Sequence, residues 1–163
     1  LSVDGQVSDY YFDGRLLTLD PEGIYMVASA MLPLVRGSGA EAVAGPTMGA
    51  DPITTAVSLL SRLDGQDTLG ALVVRSDAKD HGTGKAIEGR LMPGMKVAVV
   101  DDTCASGGTL VRTIEALRGA SCEVTGVFCV VDRREGGEEA VKAQGVPLTS
   151  LLHADGQGDL TRA

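Results

Sequence analysis

Apolar positions along this chain alternate between two rhythms. Short unbroken runs of aliphatic and β-branched residues recur, and between them apolar residues return every third or fourth position. The first pattern predicts strands buried on both faces, the second amphipathic helices. Strand-like runs cover residues 42–44, closed by Gly45-Pro46, and residues 72–74, 97–100, 124–131 and 148–152. Helical spacing covers residues 21–35 through Ile24, Val27, Ala28 and Met31, with Asp20 placed to cap the helix and Pro21 in its first turn. It returns after Asp51-Pro52 with Ile53, Val57 and Leu60, again from Gly108 with Leu110, Ile114 and Leu117, and over residues 137–144. Five strands alternating with four helices predict an α/β fold: a doubly wound, largely parallel five-stranded sheet with helices on both faces. At 163 residues the chain is read as a single domain, 1–163.

The stretch that organises the rest runs over residues 95–117. Its strand, Val97-Ala98-Val99-Val100, is followed by Asp101 and Asp102, and then by a small-residue turn from Thr103 to Thr109 holding Gly107 and Gly108. A strand, a turn rich in glycine and hydroxyls, and a helix N-terminus bring convergent backbone N–H groups and a positive dipole end together. That is an anion site, and phosphate is its usual occupant. The two carboxylates stand at the strand's C-terminal end, where open α/β sheets bind ligands. They accept hydrogen bonds from sugar hydroxyls and can hold a hydrated Mg²⁺. Phosphate, diol and metal on one turn describe a phosphorylated sugar. A lone acid pair after a strand is equally compatible with a solvated turn; the glycines and the following helix favour the site.

Composition narrows the partners. A net charge of -8 argues against nucleic acid, whose backbone needs a basic surface. No apolar run approaches a membrane span, and the N-terminal residues lack the pattern of a signal peptide, although the sequence opens on Leu1, which leaves room for residues upstream. Three cysteines at unrelated spacings fit a reducing cytoplasm better than a disulfide framework. Cys122 and Cys129 read as buried packing, and Cys104, in the turn, has no activating base near it in sequence. An anionic substrate must be drawn by local cations, and the concentrated supply is Arg75, Lys79, His81, Lys85 and Arg90.

Three further stretches carry candidate chemistry. Tyr10, Tyr11 and Phe12 form an aromatic run that reads either as a strand laid over the core or as a surface on which a heteroaromatic base stacks. Residues 74–85, with Glu88-Gly89 after them, have no hydrophobic periodicity and read as a charged loop leaving a strand. It is not a Walker loop, because the earlier glycine is absent and Ala86 replaces the hydroxyl residue. Arg133, in Asp132-Arg133-Arg134-Glu135-Gly136-Gly137, is a planar donor fork at a strand end, suited to a pyrimidine carbonyl or carboxylate. It is also placed to make a surface ion pair with Asp132 or Glu135.

The run V-V-D-D-T-C-A-S-G-G-T resembles the phosphoribosyl-diphosphate (PRPP) signature of the type I phosphoribosyltransferases. S-D-Y-Y-F-D-G-R near the start, A-K-D-H-G-T-G-K-A-I-E-G, and D-R-R-E-G-G narrow the resemblance to orotate phosphoribosyltransferases, over nearly the whole chain. That resemblance implies transfer of phosphoribose from PRPP to orotate, with Mg²⁺, in a cytoplasmic homodimer whose mobile loop, 75–90, is shared across subunits. Catalytic roles fall to Lys79, His81, Asp101 and Asp102. PRPP would be held by Arg75, Lys79, His81, Asp101, Asp102, Thr103, Ala105, Ser106, Gly107, Gly108 and Thr109. Lys79 and His81 would grip the leaving diphosphate, and Asp101 and Asp102 would help position the metal indirectly, through water or PRPP. The base would lie against Tyr10, Tyr11, Phe12 and Arg133, covered by the N-terminal segment 1–20. A phosphoribosyltransferase for another base, or a catalytically weak PRPP-binding regulator, are the alternatives.

Several family positions differ here. The loop opens Arg75-Ser76-Asp77 where Arg-Lys-Glu is usual. Residues 45–51 contain no lysine, none occurs before Lys79, and Ala105 stands where a threonine often faces the 5′-phosphate. These losses bear on turnover and on the base more than on the fold.

Overall fold

A computed structural model describes residues 12–75, 86–155 and 157–163. The strands are β1 (Ala42–Pro46), β2 (Gly70–Val74), β3 (Ile87–Gly89), β4 (Lys96–Cys104), β5 (Glu123–Asp132), β6 (Leu148–Ala154) and β7 (Leu160–Arg162). The helices are α1 (Arg15–Thr18), α2 (Pro21–Gly37), α3 (Asp51–Leu63), α4 (Gly108–Gly119) and α5 (Gly137–Lys142). One sheet runs in the order β3-β2-β1-β4-β5-β6-β7. Its inner five strands are parallel, and β3 and β7 close the two edges antiparallel.

Alternation along each strand divides the core into two layers. Val97, Val99, Val127 and Cys129 face the side covered by Leu110, Ile114 and Leu117 of α4 and Val141 of α5. Ala98, Val100, Phe128 and Val130 face Val27, Met31 and Val35 of α2 and Ile53 and Val57 of α3. Helix α2 begins where Asp20 accepts from the backbone N–H of Glu22 (3.0 Å) and Gly23 (2.8 Å), with Pro21 at the first position.

Three boundaries differ from the expectation. Ile87–Gly89, read as the end of the loop 75–90, form β3 instead. Ile87 is buried opposite Val74, and Arg75 N–H donates to the Ala86 carbonyl at 2.9 Å, so β3 pairs antiparallel with β2. Strand β4 continues past Val100 through both acids to Cys104, because β5 offers backbone partners that far: Asp101 opposes Cys129 and Thr103 opposes Val131. The N-terminal segment 1–20 contains the short helix α1.

Candidate functional site

The direction of winding reverses between β1 and β4. The chain leaves β1 for α3 and β2 on one side, and leaves β4 for α4 and β5 on the other. The crevice beyond the C-terminal ends of such a strand pair is where doubly wound sheets take ligands. Two segments border it: residues 47–50 after β1, and residues 101–107 at the end of β4 and in the turn beyond.

Consecutive strand residues point to opposite faces, and the acid pair splits accordingly. Asp101 is 7% exposed, and its Oδ1 accepts from the Asp102 backbone N–H at 2.9 Å. Burial, reinforced by the Asp102 charge, pushes its carboxyl well above the ordinary carboxylate range. Asp102 is half-buried; the Thr103 hydroxyl donates to its Oδ1 at 3.0 Å. Asp102 is therefore the more accessible of the two acids.

The turn then reaches α4 through Gly107, whose φ of 81° is the left-handed conformation that glycine adopts freely. A Cβ there would also lie 3.0 Å from both Cα and O of Gly137, a tight contact, so the close approach of α5 favours glycine as well. No side chain caps α4. Ala105 and Thr103 are half-buried, Gly107 is buried and Gly108 half-buried, while Ser106 and Thr109 are exposed at the helix start. The Thr109 hydroxyl accepts from Arg112 Nη2 at 3.1 Å. The structure thus brings together the acids, the two hydroxyls and a helix N-terminus, an arrangement able to receive an anion beside a diol.

Cys104 closes the strand, 1% exposed. Burial and the nearby Asp132 and Asp101 charges push its thiol up to about 12. That makes it packing, in line with the lack of an activating base. Cys122 and Cys129 are likewise buried and free.

At the end of β5, Arg133 N–H donates to the Cys104 carbonyl at 2.8 Å, which ties the base-side segment to the turn. The Arg133 guanidinium pairs with Glu135 at 2.8 Å, so the ion-pair reading of this residue is met in the structure. Asp132, 2% exposed, accepts from the Arg134 backbone N–H at 2.9 Å. Phe12 packs half-buried against the α2–α3 layer. Arg75 stands at the end of β2, 3.6 Å from Glu88. Tyr10, Tyr11, Lys79 and His81 lie outside the described residues.

Two site neighbours escaped the sequence reading. Ideal Cβ atoms on Gly14 and on Gly49 would each lie 2.7 Å from an oxygen of Asp102. Neither glycine belongs to the contiguous motif around Asp102, and only the topology brings them to it.

A doubly wound sheet with an acid pair and a glycine-hydroxyl turn at its switch point is the framework of a phosphoribosyl-transfer protein. Residues 36–146 match the family model of the phosphoribosyl transferase domain. The orotate phosphoribosyltransferase of Aquifex aeolicus is 43% identical over 148 residues, 91% of this chain and 80% of that protein. The enzyme of that name from Thermosynechococcus vestitus is 45% identical over 149 residues, 91% and 78% of the two chains. Among solved structures, Mycobacterium tuberculosis orotate phosphoribosyltransferase in complex with PRPP superposes with a TM-score of 0.76. It is 32% identical, with 88% of this chain and 80% of that one covered. The chain belongs to the orotate phosphoribosyltransferase family.

Proposed function

We propose that this chain transfers the 5-phosphoribosyl group from PRPP to orotate, releasing diphosphate and forming orotidine 5′-monophosphate. The anomeric C–O bond to diphosphate breaks, a C–N bond to the pyrimidine forms, and the base nitrogen gives up its proton. The observation that carries this reading is the half-buried Asp102 at the end of β4, followed by exposed Ser106 and Thr109 where the turn enters α4, at the sheet's switch point. A sugar diol and a 5′-phosphate need those groups side by side.

In this reading Asp102, with Asp101 behind it, accepts from the ribose hydroxyls. Residues 105–109 receive the 5′-phosphate through backbone N–H groups and the Ser106 and Thr109 hydroxyls. Arg75, Lys79 and His81 meet the diphosphate, where cations stabilise charge as it develops on the leaving group. Tyr10, Tyr11, Phe12 and Arg133 receive the base. Arg133 then exchanges its Glu135 pair for the substrate.

Mg²⁺ fits this donor set only in company with substrate. Among the described residues no group of three His, Cys, Asp or Glu side chains could hold a metal. Mg²⁺ commonly uses one or two carboxylates together with substrate phosphates, and Asp102 and Asp101 would serve it through water or PRPP. Bound there, it would neutralise phosphate charge. A homodimer sharing the segment between β2 and β3, working in the cytoplasm, completes the proposal; the three free cysteines suit that reducing compartment. No helix among the described residues is long and apolar enough to cross a membrane.

Diphosphate release on incubation with PRPP, Mg²⁺ and a panel of bases tests the reading. Turnover with orotate is expected, and turnover only with another base would reassign the substrate. The absence of lysine from residues 45–51, together with Ser76, favours one further reading: a regulator that binds PRPP without consuming it. Binding of PRPP without release of diphosphate for any base would select it.

A further inference from the structure

Asp102 is enclosed by two glycines from separate segments. A Cβ on Gly14, immediately before α1, would lie 2.7 Å from Asp102 Oδ2, 2.8 Å from its Cβ and 3.0 Å from its Cγ. A Cβ on Gly49, in the connection from β1 to α3, would lie 2.7 Å from Oδ1, 2.9 Å from Cγ and 3.1 Å from Oδ2. Neither backbone demands glycine. Gly14 has φ -59° and ψ -21°, ordinary helical angles, and Gly49 is not among the residues with positive φ. A side chain at either position would instead displace the Asp102 carboxylate, which fills that space.

The geometry points to Gly14 and Gly49 as positioning residues for the sugar site: together they clasp the Asp102 carboxylate and set the direction in which it meets a ribose diol. This rests on the reading of Asp102 as the diol acceptor. Three observations converge on it. The glycines approach different oxygens of the carboxylate, one from each segment. The Thr103 hydroxyl donates to Oδ1 at 3.0 Å and so favours one direction of the carboxylate. Gly14 also joins Phe12 and Asp13 to α1, so the segment proposed to receive the base rests on the acid proposed to receive the sugar. A side chain at position 49 would have to displace the Asp102 carboxylate.

The two contacts differ in a way that can be measured. At position 49 the atoms nearest an added methyl group are those of the Asp102 carboxylate end, which turns aside by rotation about its side-chain bonds. At position 14 the methyl also meets Asp102 Cβ, which is anchored in β4, so α1 must lift as well. Gly49→Ala is therefore expected to fold and melt close to wild type. It should bind PRPP about tenfold more weakly, as one charge-assisted contact is mis-aimed, with KM for orotate unchanged. Gly14→Ala is expected to lose PRPP affinity and also to melt lower.

Both substitutions are then made in an Asp102→Ala background, with thermal unfolding and PRPP calorimetry in the presence of Mg²⁺ on the full chain. There Gly49→Ala should change neither melting nor PRPP affinity, because the three atoms it would approach most closely are gone. Gly14→Ala should still lower melting, because Cβ at position 102 remains. A Gly49→Ala variant that binds PRPP like wild type overturns the proposal, as does one that loses as much with Ala at 102 as with Asp. If wild type itself binds no PRPP, the functional reading fails. The melting cycle then still decides whether the two glycines answer to residue 102.

Discussion

Asp101→Asn is expected to make this protein more stable at neutral pH while removing activity. Asp101 is buried in β4, and burial, with the Asp102 charge beside it, raises its carboxyl well above the ordinary range. The folded chain therefore holds the Asp101 proton to higher pH than the unfolded chain does. Stability from this group is full below the unfolded value of about 3.9 and is lost as pH rises through the higher folded value. Asparagine has the same shape and keeps the Oδ1 acceptor that the Asp102 N–H uses at 2.9 Å, without the charge to desolvate. A buried polar group without compensation costs about 1–3 kcal/mol and a charged one more, so a gain of at least about 1 kcal/mol is expected at pH near 7. For a chain of this length that is a rise in Tm of about 2–4 °C. Melting followed by circular dichroism should show the gain shrinking towards zero as pH falls to about 4. A variant that melts below wild type at neutral pH, or whose difference does not depend on pH, would mean that burial does not raise the Asp101 carboxyl in the folded state, and the reasoning would fail.

Asp102→Asn should leave the fold intact and lower kcat/KM at least about tenfold, the loss of one charge-assisted hydrogen bond of about 1.5–3 kcal/mol; unchanged kinetics at saturating PRPP and Mg²⁺ would remove it from the site. The three cysteines should resist alkylation in the native protein at mildly alkaline pH, where the Cys104 thiol, pushed up to about 12, stays protonated. All three should label after denaturation, and mass spectrometry that finds native Cys104 modified quickly would contradict its burial. Lys79→Ala and Asp102→Asn, each nearly inactive alone, should recover about a quarter of wild-type activity when subunits exchange at random, since half the dimers then carry one intact site. No recovery in dimers that mass measurement shows to be mixed would place Lys79 in its own subunit's site.

The five inner strands were legible because each is an apolar run, and the four longer helices because their buried faces repeat at helical spacing. What escaped has a common cause. Strand β7 is exposed throughout and β3 buries only Ile87, so neither leaves a hydrophobic pattern. Edge strands of three residues exist because a longer neighbour offers them backbone partners. The same indifference of backbone pairing to side chains carries β4 on through Asp101 and Asp102, where polarity suggests a turn. Once those acids are known to be in a strand, their inequality follows: Asp102 shares a face with Ala98 and Val100, towards α2 and α3, and Asp101 points to the opposite face. The acids, glycines and hydroxyls of the turn were legible because they are contiguous. The enclosure of Asp102 by Gly14 and Gly49 was not, since winding order alone brings those three positions together.

The balance of charge in the site leads to a final prediction. Asp101, Asp102 and Asp132 crowd the strand ends, the chain carries a net charge of -8, and PRPP itself is strongly anionic. Such a site attracts a sugar diphosphate only if cations arrive with it. Among the described residues no group of three ligands could hold a metal, and the buried Asp101 favours its neutral form, which leaves Asp102 as the accessible carboxylate. One carboxylate is a poor site for Mg²⁺ alone and an adequate one for Mg²⁺ already bound to substrate phosphates. Calorimetry with Mg²⁺ alone should therefore detect at most weak, millimolar binding. Removing Mg²⁺ with a chelator should weaken PRPP at least about tenfold, and adding salt should weaken it further as exposed charges are screened. Micromolar binding of Mg²⁺ in the absence of PRPP would reveal a protein-built metal site and refute the dependence argued here. Equal PRPP affinity with and without the metal would show that the protein's own cations suffice.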